Sequence, residues 1–316
     1  MSRFGFSKIA LLCGFAIPML HAQTQEKTKS YLGAWDLTMT TSTGQHPSWI
    51  GMSNDRGQLR VELVGPVGDT EVAQKVHFSN GSLEFLSVPD KAEGRNTETQ
   101  YRAKVVGDRI VGTAKGIDGT SATWSGVRAP SLERSSEPAW GHSRSIFTGK
   151  NFDGWRFSSQ KHSNWSVIDN SLQNSGHGAE IITTEKFGDF KLHIEFNCDP
   201  NTNSGIYLRG RYEVQVETDS AAEIASHHTG GVYGFLAPNP EQPRKPGEWQ
   251  IFDITFVGRN LSVIQNGITV IDHKTVPGIT GGALDSREGE PGPIYLQGSE
   301  EGTVRYRNIT ITTPKK

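Results

Sequence analysis

Short runs of alternating apolar and polar residues recur along the chain from about residue 31 onward, separated by turn residues. In the first half, Asn80-Gly81, Gly107-Asp108 and Asp118-Gly119 lie between or beside such runs, which is typical of tight hairpins. Sequential hairpins predict an antiparallel meander over residues 31–130. We expect it to be closed or nearly closed into a barrel, because closure protects the edge strands.

The second half, residues 145–316, continues the same alternation without an intervening helix. Phe190–Cys198 and Val232–Leu236 are among its predicted strands, and Asn266-Gly267 is a predicted hairpin turn. The pattern favours a two-sheet antiparallel sandwich of the jelly-roll type, so the whole chain is predicted to be all-β. Residues 131–144 are charged and rich in Ser and Pro, so we interpret them as a linker between independently folding domains.

One predicted ribbon, residues 206–217, has an apolar and a polar face. Its even positions include Ile206, Leu208 and Val214, which a period-two strand directs toward a core. The odd positions carry Tyr207, Arg209, Arg211, Glu213, Gln215 and Glu217. These groups form planar, directional hydrogen bonds and suit a polyhydroxylated ligand such as a sugar. We expect the odd face to form the floor of a groove whose walls are loops 227–231, 238–247 and 278–293; the alternative is an exposed, ion-paired strand face.

The N-terminus has the pattern of a secretory signal peptide over residues 1–22. Arg3 and Lys8 precede the apolar run Ile9–Leu20, and Ala22 is a small residue at a cleavage position. The mature chain is therefore expected to be periplasmic or secreted. Removing the two cations changes the net charge from -2 to -2 - 2 = -4, which leaves no basic excess for nucleic acid or an anionic membrane.

The chain has two cysteines, and cleavage would remove Cys13. Cys198 would then form no internal disulfide, and its apolar neighbours Ile194 and Phe196 predict a buried thiol. His227 and His228 are adjacent and do not have the spacing of a metal site. No metal or other cofactor is predicted.

Two stretches of the ribbon, Asn203-Ser204-Gly205-Ile206-Tyr207-Leu208-Arg209 and Tyr212-Glu213-Val214-Gln215, resemble the signature of the 3-keto-disaccharide hydrolase family. Further segments agree, namely Phe147–Trp155, Gly188-Asp189-Phe190, Gly247-Glu248-Trp249, Gly292–Gly298 and Arg307-Asn308-Ile309. The resemblance implies a concanavalin A-like lectin/glucanase sandwich, and the first domain resembles the barrel-like domain of some members. Leu296–Gly302 departs from the family pattern by lacking a histidine, so no role for that histidine is carried over.

The resemblance implies cleavage of a carbohydrate glycoside that is oxidised to a ketone at C3. The ketone acidifies the C2 hydrogen, so a base can remove it and expel the C1 substituent, after which water adds. We expect Glu213 to be the base, Arg209 to bind the developing enolate oxygen, and His228 to be a proton shuttle near Tyr233. The expected substrate-binding residues are Tyr207, Gln215, Glu217, Asp219, Tyr233, Trp249 and Gln297.

Two alternative functions remain open at this point. A conventional glucanase-type glycosidase uses carboxylates along one strand, and Glu213 and Glu217 mimic that spacing with Gln215 between them. A non-catalytic carbohydrate-binding protein would bind a sugar with the same face and not turn it over.

Overall fold

The computed structural model describes residues 28–65, 68–88, 98–159, 163–217, 224–299 and 301–315. The predicted signal peptide and Asp219 lie outside the described residues. The all-β prediction is confirmed: helical structure in the described part is limited to one turn at 28–31 and the 3-10 turn Ala225–His227. No helix among these residues has the length and hydrophobicity of a membrane span.

The first domain is one antiparallel nine-stranded sheet with the order β4-β3-β2-β1-β9-β8-β7-β6-β5. Its strands are β1 Gly33–Thr41, β2 Gly44–Asp55, β3 Gln58–Val64, β4 Thr70–Val72, β5 Gln74–Ser79, β6 Ser82–Ser87, β7 Thr99–Val106, β8 Arg109–Gly116 and β9 Ser121–Arg128. Inward-facing apolar residues fill its centre, among them Trp35, Leu37, Ile50, Leu83, Phe85 and Ile110.

A bend between β4 and β5 joins the two ends of the sheet and nearly closes it into a barrel. The chain turns from β4 to β5 at Ala73, whose amide N–H donates to the carbonyl of Val61 at 2.9 Å. β4 pairs with β3 and β5 pairs with β6, so consecutive residues join the two ends of the sheet. Lys75 has φ +51° and lies within a register shift, which is the geometry of a bulge that bends a strand.

The second domain is a two-sheet sandwich, as predicted. Its strands are β10 Arg144–Ser145, β11 Trp155–Phe157, β12 Trp165–Ile168, β13 Ser171–Ser175, β14 Ile181–Thr183, β15 Phe190–Cys198, β16 Ser204–Leu208, β17 Tyr212–Val216, β18 Gln250–Val257, β19 Asn260–Gln265, β20 Ile268–Thr275, β21 Tyr295–Leu296 and β22 Thr303–Thr312. The larger sheet has eight strands, in the order β12-β13-β22-β15-β18-β19-β20 with β10 on β22, and the smaller has five, β11-β14-β21-β16-β17.

One predicted strand of this domain is wrong. Val232–Leu236 does not extend along a neighbour but folds back on itself, with hydrogen bonds in both directions between Val232 and Leu236 at 2.8 and 3.0 Å. A bridge from Val232 to Val214 anchors this loop beside β17. The loop therefore covers the edge of the smaller sheet.

The apolar face of the ribbon is core, as its even parity predicts. Ile206, Val214 and the other even positions of β16 and β17 are buried between the two sheets. The ring of Tyr212 spans the gap and meets Phe256 of the larger sheet at a centroid distance of 5.0 Å. Cys198 is buried, as its neighbours predict, and forms no disulfide with another described residue.

The barrel and the sandwich share a packed boundary. Trp49 of β2 belongs to the sandwich core, and its ring meets Phe235 edge-on at 5.6 Å. A Cβ on Gly278 would run into this indole. Along the predicted linker, Arg134 pairs with Asp189 at 2.9 Å. The two domains are therefore in direct contact.

Candidate active site

The outer face of the smaller sheet carries two rows of side chains. Alternate residues of a strand share a face, and the strand register brings these rows together across β14, β21, β16 and β17. The first row consists of Ile182, Tyr295, Tyr207 and Glu213. The second row, two residues away from the first, contains Gln297, Gly205 and Gln215.

Tyr207 and Glu213 form a buried hydrogen-bonded pair. The hydroxyl oxygen of Tyr207 lies 2.7 Å from Oε2 of Glu213 and 2.9 Å from the carbonyl oxygen of Gly281. Both side chains are 3% exposed. Burial, and then the neighbouring carboxylate of Glu213, raise the pKa of Tyr207 well above its usual value, so its hydroxyl stays protonated. The stacked ring of Tyr295, 4.2 Å away, fixes the position of the phenol.

Gly205 explains how the carboxylate of Glu213 fits on this face. A Cβ at Gly205 would meet Oε1 of Glu213 at a separation that real side chains do not tolerate. The carboxylate therefore occupies the space above the bare backbone of β16. A glycine at this position is a requirement of the site and not a general feature of the strand.

Amide and carboxylate groups surround this pair. Gln215 donates from Nε2 to Glu217 at 3.1 Å, and Asn203 donates to the same carboxylate at 3.2 Å. The side-chain oxygens of Gln215 and Gln297 accept no hydrogen bond from the described residues. Gln297, Asn203 and Glu217 are half-buried, so they line the more accessible side of the site.

Two of the loops predicted as groove walls pack beside the odd face, where Glu213 and Gln215 are buried. The main chain of Glu213 is bonded on both sides: its N–H donates to Thr280 Oγ1 at 3.1 Å, and its carbonyl accepts from Tyr233 at 3.2 Å. Gly230 donates to the carbonyl of Gln215 at 2.9 Å. The predicted walls 227–231 and 278–293 thus form a cover, and the side chain of Glu213 lies in a desolvated environment.

Arg209 does not lie on this face, so its predicted place is wrong. It sits in the turn between β16 and β17 with φ +53°, where the alternation of a strand ends. Its guanidinium lies 4.4 Å over the ring of Phe256 and donates to the carbonyl of Gly258. This is the core side of the ribbon, opposite Glu213. Burial lowers the pKa of Arg209 from its usual value.

His228 does not lie on Tyr233, where it was expected. The ring of His227, not that of His228, packs on Tyr233, with centroids 4.6 Å apart. Nδ1 of His228 instead lies 3.3 Å from Oε1 of Glu241. The 3-10 turn Ala225–His227 ends here, and strand parity gives no guide to side-chain direction in such a turn.

Trp249 is also removed from the site. Its ring is covered by the guanidinium of Arg307 at 3.8 Å, and Arg307 pairs with Glu195 at 2.7 Å on the outer face of the larger sheet. That face is on the opposite side of the sandwich from Glu213. The prediction that Trp249 lies at the binding site is therefore wrong.

Two residues near the site, Tyr295 and Asp69, were not predicted. Tyr295 stacks on Tyr207, and its odd parity with Gln297 was an available signal. Burial, and then the charges of Glu180 and Glu213, raise the pKa of Tyr295. Asp69 comes from the barrel, with Oδ2 3.3 Å from Nε2 of His227. No local sequence pattern connects Asp69 to a ribbon in another domain.

Among solved structures, the chain resembles a candidate glycosyl hydrolase from Parabacteroides distasonis ATCC 8503, with 27% identity over 60% of this chain and 98% of that chain and a TM-score of 0.47. A carbohydrate-binding module, CBM66 from Bacillus subtilis, is 14% identical over 50% of this chain and 94% of that chain, with a TM-score of 0.36. A β-glucanase from Bacillus licheniformis is 10% identical over 58% of this chain and 100% of that chain, with a TM-score of 0.35. No curated protein matches the sequence.

The family comparison covers the sandwich. Residues 142–312 match the family described as a 3-keto-alpha-glucoside-1,2-lyase-like domain, and this span contains the Tyr207–Glu213 pair, Gly205 and both glutamines of the site. The match agrees with the resemblance found in the sequence and supports a carbohydrate-active, hydrolase-like role. The chain belongs to the 3-keto-alpha-glucoside-1,2-lyase-like family.

Proposed function

We propose that the protein cleaves 3-keto-glycosides by elimination and hydration, with Glu213 as the base at C2. The observation that supports this role is the buried carboxylate of Glu213, held by Tyr207 above Gly205 on the ribbon that carries the family signature. A desolvated carboxylate is a stronger base than one in water, because burial disfavours its charged form.

The pair is arranged to accept a proton without losing a hydrogen bond. A phenol has one hydrogen and donates to one oxygen at a time, whereas the Tyr207 hydroxyl has two acceptors within reach, Glu213 and the carbonyl of Gly281. When Glu213 takes up a proton, its new O–H can donate to Tyr207, and Tyr207 can then donate to Gly281. The protonated base therefore stays satisfied in a buried site.

The reaction balances as follows. Glu213 removes the C2 proton and the electrons form an enolate with its charge on the C3 oxygen. The C1–O bond then breaks, its electron pair leaves with the aglycone oxygen, and that oxygen takes up a proton. Water adds its oxygen to C1, and C2 regains a proton, which gives the free 3-keto-sugar.

The two glutamines are the proposed polar contacts to the sugar. The amide of Gln297 is the donor for the C3 oxygen, a role that Arg209 does not fill from the core side. Gln215 is oriented by its bond to Glu217, so its side-chain oxygen faces away from that carboxylate as an acceptor for a ring hydroxyl.

An aryl 3-keto-glycoside and its unoxidised parent test the proposal. We expect turnover of the keto compound alone, and exchange of the C2 hydrogen with deuterium from solvent during turnover. Equal cleavage of the parent would identify a conventional glycosidase. Saturable binding of the keto compound with neither cleavage nor exchange would identify a carbohydrate-binding protein.

A further inference from the structure

The barrel approaches the active-site cover at two glycines of the sandwich. The first is Gly281, where a Cβ would run into the carbonyl of Gly68. The carbonyl of this same Gly281 accepts the hydroxyl of Tyr207. Backbone packs on backbone here, which only a residue without a side chain allows. The barrel therefore contacts a group that holds Tyr207.

The second contact is made by Asp69 of the barrel. A Cβ on Gly234 would collide with the Asp69 carboxylate, so these two segments of the chain are in close contact. Gly234 follows Tyr233, whose amide donates to the carbonyl of Glu213 at 3.2 Å. The segment Tyr233-Gly234 therefore lies between Asp69 and Glu213, the proposed base.

The carboxylate of Asp69 is directed at His227. Its Oδ2 lies 3.3 Å from Nε2 of that ring, while its Oδ1 accepts from the amide N–H of Thr70 at 2.6 Å. Asp69 is 9% exposed and His227 is 4% exposed, so solvent screens the pair little. Tyr233 packs on the ring from the sandwich side. A carboxylate beside a ring nitrogen orients the imidazole.

We propose that Asp69 is a positioning residue of the active site, which holds His227 as the proton donor for the leaving oxygen. This inference rests on the proposed function. As the C1–O bond breaks, the imidazolium of His227 transfers a proton to the aglycone oxygen, and the water that adds to C1 returns a proton to the imidazole. The proton held by Glu213 returns to C2. The barrel then contributes a residue without which the site is incomplete.

Activity of the full-length chain is the first test. Asp69→Asn keeps the shape and removes the charge, and Thr38→Val is a matched control, because Thr38 makes another contact between barrel and sandwich, at 3.4 Å to Ser286. On a 3-keto-glycoside we expect Asp69→Asn to lower kcat about tenfold to a hundredfold, as an orienting group does, with little change in KM. The basic limb of the pH profile should move down by about one unit. The control should match the wild type.

The second test does not depend on turnover. The ring of His227 is titrated by NMR in wild type and in Asp69→Asn, with His227→Gln to assign its signal. Among the described residues, groups that face the ring include Asp69 and Tyr233, with Glu241 beside the adjacent His228. We expect a lower His227 pKa in Asp69→Asn.

The outcomes distinguish failure of the positioning role of Asp69 from failure of the proposed function. An unchanged titration, or an Asp69→Asn variant with wild-type kcat and pH profile, would overturn the positioning role. Equal losses in Asp69→Asn and Thr38→Val, with equal losses of thermal stability, would also overturn it in favour of a simple docking contact. A shifted titration in a wild type that turns over no 3-keto-glycoside would refute the proposed function and leave the Asp69–His227 pairing supported.

Discussion

Asp36 of the barrel and Glu288 of the sandwich are adjacent buried carboxyl groups across the contact between the two domains. They are 5% and 0% exposed. Burial, and then the charge of Glu288, raise the pKa of Asp36 to about 8, and burial raises the pKa of Glu288 as well. Tyr212 donates to Glu288 at 3.0 Å, and Arg259 lies 3.5 Å from the same carboxylate. Tyr212 and Arg259 compensate one negative charge on this pair of carboxyl groups, and a second negative charge would lack such partners.

The first prediction is that stability falls as pH rises toward 8. The folded pKa of Asp36, about 8, is above its unfolded value of about 3.9. The folded state therefore binds more protons, so the stabilisation is complete below about pH 4 and is lost as pH rises through about 8. Urea unfolding of wild type and Asp36→Asn from pH 5 to 9 measures it. In Asp36→Asn, the fall of the unfolding free energy with pH should be shallower than in wild type by up to about 1.4 kcal/mol per pH unit.

Asp108→Asn, in an exposed hairpin turn of the same barrel, is the matched control and should keep the wild-type slope. If Asp36→Asn and wild type have parallel curves, Asp36 is ionised in the folded protein at neutral pH and the pair does not share one charge.

The second prediction concerns Gly205. Gly205→Ala should displace the carboxylate of Glu213 and lower turnover of a 3-keto-glycoside about a hundredfold, because small misplacement of a reacting group is costly. Gly188→Ala is the control, since a Cβ there meets nothing within 4 Å. Wild-type kcat in Gly205→Ala would show that the position of this carboxylate is unimportant.

The fold follows from sequence patterns that act over short distances. Period-two alternation and hairpin turns predict the meander and the sandwich, because side-chain direction in a strand depends on the residue's own backbone. The bend at Ala73 was not predictable, since it depends on the distance between β3 and β6. Val232–Leu236 has a strand-like composition but contains Gly234 at φ +72°, which turns the chain.

The site was predictable where the ribbon is extended and not elsewhere. Tyr207, Glu213 and Gln215 share a face because β16 and β17 keep their alternation. The prediction fails at Arg209, since its positive φ reverses the direction of the side chain. Asp69 belongs to a long-range contact between domains, about which a local pattern carries no information.

The third prediction separates function from folding at neighbouring positions. Glu213→Gln keeps size and hydrogen bonding but removes the base, so turnover should fall by roughly two to four orders of magnitude. Val214→Ala removes buried carbons from the core side and should cost about 1 to 3 kcal/mol of unfolding free energy with little effect on kcat. Steady-state kinetics and urea unfolding give both values.

The base assignment would be contradicted if Glu213→Gln stayed active while Glu217→Gln lost activity. That result would instead identify the carboxylate that Gln215 and Asn203 hold as the essential one.

The last prediction concerns Trp49, because the linker composition and the structure give opposite expectations for the domain boundary. Trp49 points out of the barrel into the sandwich core, whereas its neighbour Ile50 points into the barrel. Trp49→Ala and Ile50→Ala should each lower the free energy of unfolding by a few kcal/mol, about 3 to 5 for the tryptophan. The two variants should differ in the number of unfolding transitions. Calorimetry of wild type and Ile50→Ala should show one transition, shifted down in Ile50→Ala. Trp49→Ala should separate it into two, because the apolar contact that couples the domains is lost. Two transitions already in the wild type, unchanged by Trp49→Ala, would mean that the domains unfold independently and that Trp49 fills a surface pocket without coupling them.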